Sequence, residues 1–176
     1  DTGLVERLSD TDHITYLGPY ALKYGSGLRP PLDEDPTANQ LVCLRALLNE
    51  GRPPYVDFAI WGPYGGRTET RLELHGDCIR PNGTLGPIEV FGPPTIEQWQ
   101  QCWTVVRVAC IMLDCIDVGV LNAYERKIVK EHERYGARVW LILYHADVRA
   151  RNELLGRTYI DLKAAHIVAQ ANNQST

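Results

Sequence analysis

No apolar run in this 176-residue chain approaches the roughly 20 residues that a membrane-spanning helix requires. The longest, residues 108–113, reads as a buried or interfacial stretch of helix. A basic excess is also missing. The formal net charge of -4 excludes a basic, non-specific nucleic-acid binder. The cysteines form no C-x-x-C pair and no zinc-type spacing with histidine. The glycine-rich stretch Gly62-Pro63-Tyr64-Gly65-Gly66-Arg67 lacks the lysine and the spacing of a phosphate loop, and reads as a turn that carries aromatics. Asp1-Thr2-Gly3 spells an aspartic-protease signature, but polar residues follow it where hydrophobic segments are needed, so it reads as a chance tripeptide. No Ser-His-Asp, Cys-His or paired-carboxylate arrangement stands out. The sequence therefore nominates no catalytic residue, no metal ligand and no cofactor. No signal peptide is visible. The chain starts at Asp1 rather than Met, which suggests a processed product or a piece of something longer. The expected location is intracellular, cytoplasmic or nuclear, with organelle targeting left open.

What the chain does contain is core material. A hydrophobic fraction of 44% with four Trp suits one domain with tails. The five cysteines, at 43, 78, 102, 110 and 115, are odd in number. They read as small core residues in a reducing compartment, with a regulatory thiol as the alternative.

Residues 1–34 are polar and punctuated by Gly and Pro, and read as an extended or partly disordered arm. Asp35-Pro36 looks like a helix start, with Leu41, Leu44, Leu47 and Leu48 as the apolar stripe and Gly51 and Pro53 as the stop. Residues 68–79 and 88–91, joined by the turn Pro81-Asn82-Gly83-Thr84, predict a β-hairpin. Thr95 with Gln98 then fits a capping box. Trp99, Cys102, Trp103, Val106, Cys110 and Leu113 follow on one helical face. The back of that helix carries Val105, Val108, Ile111 and Met112. A helix apolar all round is enclosed, by its own domain or by a partner.

Asp117 can cap a further helix, with Leu121, Tyr124, Ile128 and Tyr135 as its stripe, a charged outer face, and Gly136 as its end. Residues 137–155 read as another helix and 158–171 as a weaker one, followed by a frayed tail at 172–176. The expected fold is α+β and mostly helical: an N-terminal helix, a β-hairpin, then a three- to four-helix bundle, with residues 35–171 as one domain. The expected core is Leu44, Leu47, Trp99, Trp103, Val106, Leu113, Leu121, Tyr124, Ile128, Trp140 and Leu143.

On the helix at 137–155, Trp140, Leu143, Tyr144, Asp147, Arg151 and Leu154 share a face. Asp147 and Arg151 are one turn apart and interrupt an apolar stripe. They read either as a pair that sets the register of a partner or as a salt bridge at the rim of the core. Lys127, Lys130, Arg134, Arg149, Arg151 and Arg157 form a basic set, interleaved with Glu and Asp. His132 falls on the apolar side of its helix and reads as a core or boundary residue.

Four strings, DEDPTANQLVCLRALL, PPYVDFAIWGPYG, FGPPTIEQW and YGARVWLILYHADVRARNELL, are similar to a block of dinoflagellate proteins found in retroelement-like open reading frames. The resemblance covers roughly residues 35–155. It implies a Gag-like, self-assembling structural domain and assigns no catalytic residue. The sequence departs from a Gag pattern in having no C-x2-C-x4-H-x4-C zinc knuckle and in being acidic.

The leading expectation is a non-enzymatic assembly or protein-interaction module that associates with itself or with another protein. Its contact surface would be Val105, Val108, Ile111 and Met112, with Trp140, Asp147 and Arg151. A nucleic-acid-binding structural domain using the basic set is the second expectation. An enzyme acting in a pocket between hairpin and helices is the third.

Overall fold

A computed structural model describes residues 8–25, 27, 29–66, 71–79, 82–155, 157, 160, 161, 164, 165, 167 and 168. The expectations for Asp1-Thr2-Gly3 and for the tail at 172–176 lie outside the described residues.

The described residues are mostly helical with one hairpin, as the α+β reading anticipates. The N-terminal arm is a correction. Asp10–Tyr24 form helix α1. Ser9 caps it by accepting from the Asp12 N–H, and Asp10 and Asp12 place negative charge in the first turn, where the helix dipole favours it. Pro19 sits inside the helix, so its ring takes the place of a donor there. The helix persists because one face is paid for by packing: Tyr20 is buried, and Leu8, Tyr16 and Leu17 pack on the core.

Helix α2 spans Ala38–Asn49. Its cap is Thr37 rather than Asp35, in a full capping box with Gln40. Leu41 and Leu44 are fully buried, and the Gln40 amide donates to the Gly62 carbonyl at 3.0 Å, fixing the following loop. That loop buries Val56, Phe58 and Trp61, three core residues absent from the expected set.

Strands β1 (Arg71–Ile79) and β2 (Leu85–Phe91) pair antiparallel. The register jumps between Leu74, opposite Ile88, and Cys78, opposite Gly86. Pro87 is the residue left facing the skipped stretch. It has no N–H to give the ladder, and a bulge is where a strand tolerates proline.

Helix α3 (Ile96–Met112) is the centre of the molecule, capped by Thr95 as the sequence suggests. Helices α1, α2 and α4 (Val118–Tyr135) all pack on it. Trp99 and Trp103 stack at 5.4 Å, and Phe58 packs against both. Asp117 caps α4 and Gly136, at φ 78°, ends it. Leu121 and Ile128 are buried as expected, but Tyr135 is exposed. The expected helix at 137–155 is one path with three windings: a 3-10 turn at Ala137–Val139, helix α5 (Trp140–Ala150), and a π-helical turn at Arg151–Leu155. Beyond it, residues 157, 160, 161, 164, 165, 167 and 168 are helical.

Of the expected core, Leu44, Trp99, Trp103, Val106, Leu121, Ile128 and Trp140 are buried, while Leu47, Leu113, Tyr124 and Leu143 are partly buried against it. No helix among the described residues is long and apolar enough to cross a membrane.

Candidate interaction surface and buried polar cluster

The expected contact residues on α3 are core. Val105, Val108, Ile111 and Met112 are each at most 6% exposed within a single chain. Helices α1, α2 and α4 all pack on α3, and α1 is a wall that the expected arm would not have supplied.

Trp140, Asp147 and Arg151 are also buried, so the pair is neither a rim salt bridge nor an exposed register device. Asp147 is the hub of a closed cluster. Its carboxylate accepts from Trp99 Nε1 at 2.9 Å, from the Tyr124 hydroxyl at 2.8 Å and from Arg151 Nε at 3.0 Å. Arg151 Nη1 donates to the Val56 carbonyl at 2.7 Å, and the Phe58 ring covers the guanidinium at 3.8 Å. Arg151 Nη2 has no hydrogen-bond partner among the described residues. A buried charge pair survives only when hydrogen bonds and a counter-charge replace water, and this one has both. Burial first, then the Asp147 charge, raises the Tyr124 hydroxyl well above its ordinary range, so it stays a neutral donor. The cluster is therefore a structural joint between α3, α4, α5 and the loop at 56–58.

A second set of contacts ties the hairpin to α5. Trp140 Nε1 donates to the Pro93 carbonyl at 2.9 Å and the Tyr144 hydroxyl donates to the Phe91 carbonyl at 3.3 Å. Burial raises the Tyr144 hydroxyl as well. Gly92 lies so close to the Tyr144 ring that a Cβ there would collide with it.

The hairpin's inner side is held by these contacts and by Leu72, which packs against the core. Leu85, Pro87, Glu89 and Phe91 alternate along β2 and are all exposed, and Ile79 faces Leu85 across the ladder. Ile79, Leu85 and Phe91 are 72%, 65% and 51% exposed.

No family model, curated protein or solved structure matches the chain. Its surface must be read from its own geometry.

The basic set divides. Lys127, Lys130 and Arg134 are exposed along one side of α4 with Arg126, and none of these four forms an ion pair among the described residues. Arg149 is exposed but pairs with Glu153 at 3.1 Å, Arg157 is exposed, and the buried Arg151 cannot meet a phosphate. Beside the α4 ridge, an open cleft of 740 Å³ is lined by Arg107, Arg126 and Lys130 but also by Glu125 and Glu133, and Arg107 lies 3.7 Å from Glu125. His132 packs edge-on against Trp140 at 5.9 Å, the boundary role its position suggests. Among the described residues, no group of three or more His, Cys, Asp or Glu is placed to hold a metal ion.

Tyr64 is exposed at φ 57°, at the tip of the glycine-rich turn, while Trp61, just before that turn, is buried. The turn reading holds for this loop, and the two aromatics have opposite fates.

Proposed function

We propose that the chain is a non-enzymatic assembly module that self-associates through the outer face of its hairpin. The observation that carries this reading is the exposure of Ile79, Leu85 and Phe91 on the outer face of a hairpin whose other face is anchored, a face that also carries Glu89. A two-stranded hairpin is marginal by itself and gains most from a second layer. The occupant is a second copy of this chain. An apolar patch is complementary to itself, which is what a twofold interface demands, and two such faces stack as sheets do, about 10 Å apart. The resemblance to retroelement-like proteins supports the same reading, a Gag-like domain that builds by repetition.

Light scattering on a size-exclusion column across a concentration series tests it. The expected result is a dimer that dissociates on dilution. Ile79→Asp with Leu85→Asp should give a monomer with unchanged helical circular dichroism. A wild-type chain that stays monomeric at every concentration sinks the proposal, and a double variant that still dimerises moves the interface elsewhere.

The cations Arg126, Lys127, Lys130 and Arg134, which form no ion pair among the described residues, favour a second reading, in which α4 holds a nucleic-acid backbone. Retention of single-stranded RNA at about 50 mM salt, lost steeply as salt rises, is then expected. Lys127→Ala with Lys130→Ala should weaken it. A mobility unchanged by RNA at that salt rules the reading out.

A further inference from the structure

The C-terminus of α3 closes in a way that brings two thiols together. Asp114 adopts φ 48°, in the left-handed region, although it is not glycine. Its N–H donates to the Ile111 carbonyl at 3.1 Å, and the Cys115 N–H donates to the Cys110 carbonyl at 3.1 Å. These are the two hydrogen bonds of a Schellman cap, with Asp114 in the place glycine ordinarily takes. The motif sets the residue after the left-handed one against the residue five positions earlier, in a contact that two apolar side chains commonly make. Here the two residues are Cys115 and Cys110, joined by their own backbone hydrogen bond. Cys110 is buried in the core, and Cys115 is half-buried and open to solvent on one side.

We propose that Cys110 and Cys115 form a redox-modification site, which closes to an intramolecular disulfide when the protein meets a small-molecule disulfide. A disulfide needs Cα atoms roughly 4.4–6.8 Å apart and converging Cβ vectors. The cap joins Cys110 and Cys115 by a backbone hydrogen bond of 3.1 Å and sets their side chains on the two positions that ordinarily pack together, so the bridge asks for no movement of a helix.

The half-buried position makes Cys115 the first to meet the oxidant. Its thiolate attacks one sulfur of oxidised glutathione, the sulfur–sulfur bond breaks, and one glutathione thiolate leaves. The Cys110 sulfur, after losing its proton, attacks Cys115 Sγ and expels the second glutathione thiolate. The two protein protons end on the two released glutathiones. Two protein thiols are oxidised and one small disulfide is reduced, so no electrons are left over. The neighbouring Cys115 and burial push the Cys110 thiol up, so it stays protonated while Cys115 meets the oxidant, and the second step depends on its closeness to Cys115 rather than on a ready thiolate.

Mass spectrometry of the folded full chain tests the site. The protein is equilibrated with oxidised glutathione, quenched in acid and digested with trypsin without reduction. Cleavage after Arg107 and Arg126 releases peptide 108–126, whose two cysteines are Cys110 and Cys115. The expected result is a peptide lighter by two hydrogens that returns to its full mass with dithiothreitol, together with slower hydrogen exchange at the Asp114 and Cys115 amides in the oxidised protein. In Cys115→Ser, the lighter species should disappear. A peptide that keeps two free thiols overturns the proposal. So does one that holds a lasting glutathione adduct on Cys115 beside a free Cys110.

Discussion

Asp147→Ala should lower the melting temperature by about 10 °C. Removing one partner of a buried ion pair typically costs about 3–5 kcal/mol, and each kcal/mol moves the midpoint by about 2–4 °C in a domain of this size. The loss is large because three donors share one acceptor: the Trp99 indole, the Tyr124 hydroxyl and the Arg151 guanidinium. The buried Trp99 indole would lose its acceptor and the Arg151 guanidinium its counter-charge, both out of water. Arg151→Met should be costly for the converse reason, since it leaves a buried carboxylate without its counter-charge. The double variant should cost less than the sum of the two, because the second change removes a charge that the first has orphaned. Arg149→Ala is the matched control. Its ion pair with Glu153 has the same one-turn spacing but is exposed, so about 0.5 kcal/mol or less is expected. Thermal and urea unfolding monitored by circular dichroism measure all four. If Asp147→Ala falls with Arg149→Ala, the cluster is not what holds α5 to the core.

Ile111→Asp combined with Met112→Asp should leave no folded protein. Both side chains are enclosed, and each new carboxylate would be buried without a partner, at a cost of several kcal/mol against a total stability of about 5–15 kcal/mol. Soluble yield and the far-ultraviolet spectrum decide the matter. A folded, monomeric double variant would mean that this face of α3 is a contact surface after all. The same pair of aspartates at Ile79 and Leu85 should be tolerated, so the two variants together separate interior from exterior.

The contrast between those two faces shows where the sequence was legible. Local signals were read correctly. Thr95 and Asp117 cap their helices, Gly136 ends one, and the turn at Asn82-Gly83 joins two strands. Each depends on residues within a few positions of one another. Signals that depend on a distant partner were not recoverable. The spacing of Asp147 and Arg151 pointed to a pair, but burial comes from Trp99, 48 residues away, and from Val56, 95 residues from Arg151. The apolar back of α3 said that something covers it and could not say whether that cover was a second molecule or α1. Helix α1 was hidden in turn by Gly18 and Pro19, which normally mark a break, while its own support is a docked face centred on Tyr20. Strand β2 was placed three residues short because Pro87 argues against a strand unless a bulge admits it. The thiol pair was invisible for a related reason. Nothing in the spacing of Cys110 and Cys115 announces that Asp114 will turn left-handed between them.

The Asp147 joint also bears on the order in which the chain can fold during synthesis. Its acceptor arrives with α5, yet the donors that need it, Trp99 and Tyr124, leave the ribosome long before. So does the Val56 carbonyl that Arg151 satisfies. A nascent chain extended only through α4 holds both tryptophans but lacks the acceptor that Trp99 and Tyr124 need. Its long-range closure must wait for residues 147 and 151, and until then the aromatic centre is open to chaperones and to neighbouring nascent chains.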